Sequence, residues 1–417
     1  MRKNKNTRKK YYIVNLFCFI FLILTVLATY FSPSNNECSS VEETVKENDP
    51  NSSSLSSELK AVWITYMDLD MKGTNYTEVE FKKKFDTIVN NCKNFGFTDL
   101  IAHVRPFGDA LYNSKYFPTS HIVVKEQGAP LNFDPLKYMI EKSHQENLKF
   151  HALVNPFRIQ LNNCPKNLAD NNPFNVWKNS NQEIQRDFVV DFGTEKYYNP
   201  GYCQVRSLII NGIEEIVRNY DVDGIHFDDY FYPDNKPDFD KKCYEDYLKT
   251  LNENPPLSKE KWRMANVNSL IASVYSTIKN IKPSVLFGIS TSCNLKNNDR
   301  IGADVRSWSQ TYGYVDYICP QVYVNFENPT IPFDKALEDW KNIVDRKVVK
   351  LYHGLGVYKA GSEMDNGTWK KSDNILQTEV ELARKLGTDG FILFSYGDLF
   401  KPQTQSEVTN VMKTLNN

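Results

Sequence analysis

DGIHFDDYFYP, residues 223–233, is a short apolar strand that ends in two adjacent carboxylates. Successive side chains of a strand point to opposite faces, so Ile225 and Phe227 share one face while His226 and Asp228 share the other. An apolar face of this kind packs against helices, which leaves the histidine and the aspartate on the other side of the sheet. The stretch therefore predicts a strand with helices on one face and an ionisable cluster at its carboxyl end.

Seven more apolar segments of strand length flank this one, and amphipathic helical stretches separate them. In chain order the eight are residues 59–65, 100–104, 150–154, 224–228, 286–290, 317–322, 352–357 and 390–394. Crossovers without a strong hairpin signal favour parallel pairing, and eight parallel strands close a barrel. We therefore predict an α/β fold, a (β/α)8 TIM barrel over residues 58–417. A doubly wound open sheet is the alternative, although the chain lacks the Gly-rich phosphate loop typical of that fold.

The first 57 residues differ from the rest in composition. A basic block at residues 1–10 precedes an uncharged apolar run from Tyr11 to Phe31, long enough to cross the ~30 Å hydrocarbon core of a bilayer. The positive-inside rule then predicts a cytoplasmic tail at 1–10, a transmembrane signal anchor at 11–31 and an extracytoplasmic remainder. Polar, serine-rich residues 32–57 predict a disordered linker. We expect a single-pass protein of the cell membrane; a cleaved signal peptide, which would release a secreted protein, is the alternative.

Composition excludes some classes of function. Lys and Arg total 50 against 51 Asp and Glu, a balance that argues against a nucleic-acid binder. Aromatic residues make up 13% of the chain, which suits stacking on sugar rings but also the filling of a large core. The 8 cysteines form no C-x-x-C pair, so a paired-cysteine zinc site is not expected, and spacing leaves any disulfide connectivity open. The sequence implies no cofactor and no obligate protein partner.

The strand ends supply the candidate site residues, because catalytic groups of barrel enzymes lie at the carboxyl ends of strands. Asp228 and Asp229 are the expected catalytic pair, since neighbouring like charges raise one pKa and a raised pKa suits a general acid. Alternatively Asp229 caps the next loop or pairs with Arg105, with Asp109 as the reserve second carboxylate. The expected substrate-binding residues are Arg105, Asp109, Asn155, His226, Tyr230, Gln321, Tyr323 and Lys359.

Two other interpretations of these side chains remain. A single inward histidine is more often a core residue than a functional one, but burying several unpartnered polar groups would cost roughly 1–3 kcal/mol each, which favours function for the cluster. His103, His151, His226 and Asp228 could also line a metal site. Amidohydrolase-type metal barrels start with an H-x-H pair on the first strand, however, and here that strand is LKAVWIT. We therefore expect no catalytic metal.

Several motifs make the chain resemble the glycoside-hydrolase-like family 10 barrels, bacterial envelope enzymes directed at peptidoglycan glycan strands. They include VRPFGDALY (104–112), NPFR (155–158), YDVDGIHFDDYFYP (220–233), VDYICPQVY (315–323) and GFILFSY (390–396). The resemblance implies hydrolysis of N-acetylated amino-sugar polymers, above all glycan strands stripped of stem peptides, and places Asp228 and Asp229 in the family's acidic motif. Cys319 and Val324 stand where the family usually has alanine and tryptophan.

The fourth segment is also similar to the DGIDIDWE pattern of chitinase-type family 18 barrels. Tyr230 stands where those enzymes carry their acid glutamate, so that mechanism would need a displaced carboxyl such as Asp229. The predicted function is thus a glycoside hydrolase acting on a polysaccharide. A membrane-tethered glycan-binding protein without turnover is the alternative.

Overall fold

The computed structural model describes residues 58–233, 236, 238–250 and 255–415. The predicted cytoplasmic tail, the anchor from Tyr11 to Phe31 and the linker at 32–57 lie outside the described residues. Within the described ranges, none of the helices has the length and apolar character that a membrane crossing requires.

The strands run through the whole described part of the chain. In chain order they are β1 (Leu59–Ile64), β2 (Asp99–Arg105), β3 (Lys149–Val154), β4 (Arg158–Gln160), β5 (Val189–Phe192), β6 (Glu195–Tyr198), β7 (Gly224–Phe227), β8 (Leu286–Ser292), β9 (Tyr317–Gln321), β10 (Lys350–Gly356) and β11 (Gly390–Phe394).

Helices fill the connections. The α-helices are α1 (Tyr66–Leu69), α2 (Glu78–Phe95), α3 (Pro135–Gln145), α4 (Pro173–Lys178), α5 (Glu183–Arg186), α6 (Cys203–Asn219), α7 (Lys241–Lys249), α8 (Lys259–Ile281), α9 (Leu295–Arg300), α10 (Val305–Gln310), α11 (Phe333–Ile343), α12 (Ile375–Leu386) and α13 (Gln405–Leu415). Short 3-10 helices cover Val357–Lys359, Asp365–Lys370, Tyr396–Phe400 and Pro402–Thr404.

Eight parallel strands form a closed barrel in the order β1-β11-β10-β9-β8-β7-β3-β2. Closure is made by β1, which pairs with β2 on one side and with β11 on the other. All eight predicted strand segments are barrel strands, so the predicted α/β barrel is confirmed and the open doubly wound sheet is excluded.

Helix α2 shows how the sequence sets an element of the outer ring. Thr77 Oγ1 accepts from the Glu80 backbone N–H at 3.3 Å, and the Glu80 carboxylate accepts from the Thr77 backbone N–H at 3.2 Å. This reciprocal capping box starts the helix, and Gly96 ends it with a left-handed φ of 85°. The side chains at Phe81, Phe85, Ile88, Val89 and Cys92 form its buried face. That stripe seats the helix against the barrel.

A small antiparallel sheet was not predicted. It has the order β4-β6-β5 and is inserted between β3 and α6. The hairpin of β5 and β6 turns at Gly193, whose φ is +65°, and a glycine first in a two-residue turn is typical of tight hairpins. The expectation that the chain lacks a strong hairpin signal is therefore wrong at residues 189–198.

The inside of the barrel is filled by aromatic and histidine side chains that lie against glycines of neighbouring strands. Tyr317 occupies the space beside Gly288, where an added Cβ would lie 2.0 Å from the ring. Likewise, an added Cβ at Gly224 would lie 2.2 Å from His151 Nδ1. The barrel core also contains Leu59, Ala61, Trp63, Ile101, Leu153, Cys319, Tyr352 and Ile392. These packed layers fill the barrel beneath the carboxyl ends of the strands, where the active sites of barrel enzymes lie.

Candidate active site

A cavity of about 220 Å³ opens at the carboxyl ends of the barrel strands. Its lining is aromatic on one side and polar on the other. The residues that line it are Trp63, Thr65, Tyr66, Met67, His103, Leu153, Arg158, Leu161, Asp228, Tyr230, Ser290, Gln321, Tyr323 and Phe394. Barrel enzymes carry their active sites at this face.

Asp228 is the buried carboxyl of this cavity, with 8% of its surface exposed. It follows β7 directly, and its Oδ1 accepts from the Tyr230 backbone N–H at 3.4 Å. Burial raises the pKa of Asp228 to about 7, and the charge of Asp229 adds to the rise, while Arg158 opposes it. A carboxyl that keeps a proton near neutral pH is able to donate it.

Asp229 lies beside Asp228 and points to a different neighbour. Gln321 Nε2 donates to its Oδ1 at 3.2 Å, and burial raises the pKa of this second carboxyl as well. The hydrogen bond joins the end of β7 to the end of β9, and Gln321 lines the cavity whereas Asp229 itself does not. A pairing of Asp229 with Arg105 is not observed among the described contacts.

Arg158 supplies a positive charge at the cavity wall. Its guanidinium carbon lies 4.2 Å from the centre of the Tyr230 ring and 5.3 Å from that of Phe107. Asn155 Oδ1 accepts from the Arg158 backbone N–H at 3.0 Å, and the polar Asn155 side chain near Asp228 lowers the pKa of that carboxyl. The sequence placed Arg158 after the third strand without assigning it a role; the NPFR motif was the available signal.

His103 is a further cavity residue that was not among the expected site residues. Neither of its ring nitrogens has a hydrogen-bond partner among the described residues, and only 7% of its surface is exposed. Burial, helped by the charge of Arg158, lowers the pKa of His103 to about 3. The imidazole is therefore neutral and offers one donor and one acceptor to a bound molecule.

His226 faces the barrel axis, as the alternation of β7 predicts, but it lies below the cavity. It is fully buried, its Nδ1 lies 2.9 Å from Tyr317 Oη, and the Trp63 ring stands edge-on with a centroid distance of 5.8 Å. His151 bonds instead to Asp99, with 3.0 Å between Nε2 and Oδ1. The histidines thus have separate partners, and His226 supports the cavity floor without lining it.

Arg105 does not face the axis, because β2 carries an irregularity there. The register with β3 shifts between His103 and Arg105, so Arg105 pairs with the outward-facing Val154. Its guanidinium carbon lies 4.3 Å from the Phe117 ring centre in the outer core, and its side chain is fully buried. Arg105 therefore does not line the cavity, and its expected substrate-binding role has no geometric support, although its charge still interacts with Asp228.

Asp109 and Lys359 also lie apart from the cavity. Asp109 Oδ2 accepts from Gln127 Nε2 at 2.7 Å and lies 3.2 Å from His121 Nδ1. Lys359 Nζ forms an ion pair of 3.0 Å with Asp365. Neither side chain lines the cavity, and the hydrogen-bond partners of Asp109 do not line it either, so the reserve role of Asp109 as a second carboxylate has no geometric support.

Tyr323 and Tyr230 do reach the cavity. Tyr323 lies against Phe394 with a centroid distance of 5.4 Å and meets Trp63 edge-on at 6.4 Å. Tyr230 is 43% exposed at the mouth. Together these rings give the cavity an apolar wall of the kind that packs on sugar faces.

Comparison with known proteins gives consistent matches. The family described as glycosyl hydrolase-like 10 matches residues 58–371. Glycosyl hydrolase YngK of Bacillus subtilis (strain 168) is 34% identical over 367 residues, which cover 82% of this chain and 69% of that protein. Glycosyl hydrolase DigH of Escherichia coli (strain K12) is 30% identical over 357 residues, which cover 81% of this chain and 80% of that protein.

Solved structures match in fold. The PgaB (BpsB) glycoside hydrolase domain from Bordetella bronchiseptica has a TM-score of 0.56 at 11% identity, covering 85% of this chain and 99% of that one. The catalytic domain of β-amylase from Paenibacillus polymyxa has a TM-score of 0.53 at 12% identity, covering 85% and 98%. At these identities the similarity is one of barrel architecture.

Proposed function

The chain belongs to the glycosyl hydrolase-like 10 family and is a glycoside hydrolase, and from this premise we propose that it cleaves amino-sugar polymers, namely peptidoglycan glycan strands without stem peptides. The observation that carries the mechanism is the position of Asp228, a buried carboxyl with a pKa raised to about 7 in the barrel-mouth cavity. A glycan-binding role without turnover is set aside because the family and the relatives are hydrolases.

In the proposed reaction Asp228 protonates the leaving glycosidic oxygen. Glycoside hydrolysis needs a carboxylic acid of raised pKa and a second group that stabilises or attacks the anomeric carbon. We assign the second role to Asp229, which Gln321 orients through the hydrogen bond of 3.2 Å. Arg158 would limit the rise of both pKa values, so that Asp228 releases its proton as the bond breaks.

The lining supports an N-acetylated sugar as substrate. Trp63, Tyr66 and Tyr323 give apolar faces, and the neutral His103 imidazole and the Gln321 amide can bond hydroxyl and acetamido groups. Arg158 is the cation of the described lining, and its guanidinium is stacked on Tyr230. Stacking and neutral hydrogen bonds suit the N-acetylated sugar rings, and Arg158 offers a cation for the lactyl carboxylate that muramic acid carries once its peptide is removed.

The proposed setting is the outer side of the cell membrane. Its support is the basic block followed by the uncharged run from Tyr11 to Phe31, together with a substrate that lies outside the cytoplasm. Fusing a topology reporter after residue 57 tests it: extracytoplasmic reporter activity is expected, and a cytoplasmic signal would contradict the proposal.

The test of the substrate is product analysis. The 58–417 fragment is incubated with peptide-free glycan strands, and separately with intact peptide-bearing strands, and the products are identified by mass. Release of new reducing ends from the peptide-free strands is expected, with slower release from the others. Activity on chitin-type oligomers but on neither kind of cell-wall strand would contradict the proposed substrate, although it would still agree with a glycosidase.

A further inference from the structure

Outside the proposed mechanism, a thiol, an imidazole and a carboxylate form a chain beside the cavity. Cys164 Sγ lies 3.7 Å from His121 Nε2, and His121 Nδ1 lies 3.2 Å from Asp109 Oδ2. The proposed glycosidase mechanism uses none of these contacts. This order of groups is the one in which a base and its orienting carboxylate assist a nucleophile.

The position of Cys164 follows from a tight turn after β4. Asn162 and Asn163 both have positive φ, 49° and 53°, and the Cys164 backbone N–H donates to the Leu161 carbonyl at 2.9 Å. Positive φ at both central residues defines a type I′ turn, which asparagine tolerates better than most residues. The turn leaves the Cys164 thiol exposed, and Leu161 at its other end lines the cavity.

Asp109 fixes the imidazole in one tautomer. The carboxylate is fully buried and takes a second hydrogen bond from Gln127 Nε2 at 2.7 Å, so it is held rigidly. A carboxylate only accepts, hence His121 Nδ1 carries the proton and Nε2 presents its lone pair toward Cys164. In this tautomer Nε2 is the acceptor that faces the thiol.

We propose that Cys164 is a covalent modification site for small disulfides at the mouth of the cavity. His121 Nε2 takes the proton of the thiol, and the resulting thiolate attacks one sulfur of the disulfide. A new bond forms from Cys164 Sγ to that sulfur as the original S–S bond breaks, and the leaving thiolate takes the proton from His121. One disulfide is exchanged for another, so no further oxidant is needed.

An adduct at this position changes access to the cavity. Because Cys164 and Leu161 are the two ends of one turn, a group attached to the thiol stands next to the cavity wall. A polymer must pass this wall to reach Asp228. Modification is therefore expected to slow cleavage of long substrates, and a reducing agent is expected to restore it.

The chain contains its own control thiol. Cys203 is exposed like Cys164, but the described contact of its sulfur is Gln204 Oε1 at 3.2 Å, not an imidazole. Cys92 and Cys319 are buried, and burial raises the pKa of each thiol well above its ordinary value. These two report on folding, because they react only when the barrel opens.

The test measures labelling of the full-length protein by 4,4′-dithiodipyridine at pH 6.5 and pH 9, with peptide mapping to resolve each cysteine. A free thiol ionises near pH ~8.5, so an unassisted one reacts slowly at pH 6.5. Cys164 is expected to react at least ~10-fold faster than Cys203 at pH 6.5, with a smaller difference at pH 9. Equal rates at both pH values would overturn the proposal.

Two variants sharpen the test. His121→Gln is expected to lower the Cys164 rate at pH 6.5 to that of Cys203, with Cys92 and Cys319 still unlabelled. Cys164→Ser is expected to keep its glycosidase turnover in the presence of the reagent, whereas the parent protein loses turnover and regains it with dithiothreitol. A fast Cys164 in the His121→Gln variant, or equal inhibition of Cys164→Ser and the parent, contradicts the assignment.

Discussion

At the scale of residues, burial of the Asp228 carboxyl gives it the protonation state needed for catalysis and makes the folded protein less stable as the pH rises. Its carboxyl is nearly inaccessible to bulk water, and the charge of Asp229 stands beside it. The pKa rises from the ordinary value of 3.8 to about 7, so the folded chain holds this proton more tightly than the unfolded chain. The protonated form contributes stability at low pH, and this contribution is lost as the pH rises from about 4 through 7.

The Asp228→Asn variant tests this linkage. Asparagine cannot ionise, so the variant is expected to gain free energy of unfolding relative to the parent between pH 4 and pH 8, on the order of 4 kcal/mol for a pKa that rises from 3.8 to about 7. Urea unfolding of the 58–417 fragment at both pH values measures the difference. A difference that does not change with pH, or that changes in the opposite direction, would show that Asp228 is ionised at neutral pH like a surface carboxylate.

The same scale shows where residue assignment from sequence succeeds and fails. Strand alternation predicts the axial direction of His226 and the cavity positions of Asp228 and Gln321, because their strands are regular up to the end. It fails for Arg105, since one irregularity in β2 turns the side chain outward. It fails for Lys359 as well, because the partner Asp365 lies in a 3-10 helix whose position no local pattern reveals.

At the scale of elements, the packing between β8 and β9 inside the barrel requires a residue without a side chain at position 288. Gly288 leaves room for the Tyr317 ring, and Tyr317 Oη in turn bonds His226 Nδ1 under the cavity floor. A methyl group at residue 288 would lie 2.0 Å from two ring atoms. The ring cannot yield easily because Tyr352 packs on it with a centroid distance of 4.9 Å.

Gly288→Ala is therefore expected to lower the free energy of unfolding by ~3 kcal/mol, the upper part of the usual range for overpacking. The matched control is the double variant Gly288→Ala with Tyr317→Leu, in which the smaller side chain makes room for the methyl group. Chemical denaturation should show that the double variant loses less than the sum of the two single variants. Additive losses of free energy would mean that the side chains at residues 288 and 317 are not in steric conflict.

The inserted sheet shows a limit of prediction for elements. Strands β5 and β6 have four residues each and contain charged residues, Asp191 in one and Glu195 and Lys196 in the other. The sheet is stabilised partly by tertiary contacts around it. Trp177 packs against Phe188 with 5.3 Å between the ring centroids, and Phe192 packs against Phe239 with 6.1 Å. Such short polar strands give a weak periodic signal, although Gly193 marks the turn.

At the scale of the whole molecule, the barrel was predictable because it repeats one simple pattern. Most barrel strands are short, apolar and followed by an amphipathic helix, and the closed order of eight strands requires only that neighbours pair in parallel. Helix α8 begins at Lys259 because the Ser258 side chain caps it there. Capping residues thus set where a helix begins without changing the order of the barrel strands.

The whole fold brings side chains from seven barrel strands and their loops to one cavity, and the central claim is that Asp228 gives its proton there to the leaving oxygen. A substrate with a good leaving group does not need that proton. Aryl glycosides of one N-acetylated amino-sugar oligosaccharide, differing only in the leaving phenol, therefore separate the role of acid from that of nucleophile or binding group.

The decisive measurement is kcat/KM of the parent and of Asp228→Asn on an unsubstituted phenyl glycoside and on the matching dinitrophenyl glycoside. We predict that the variant loses ~10³-fold on the phenyl substrate and less than ~10-fold on the dinitrophenyl substrate. An equal loss on both substrates, or no loss on either, would contradict the assignment of Asp228 as the proton donor.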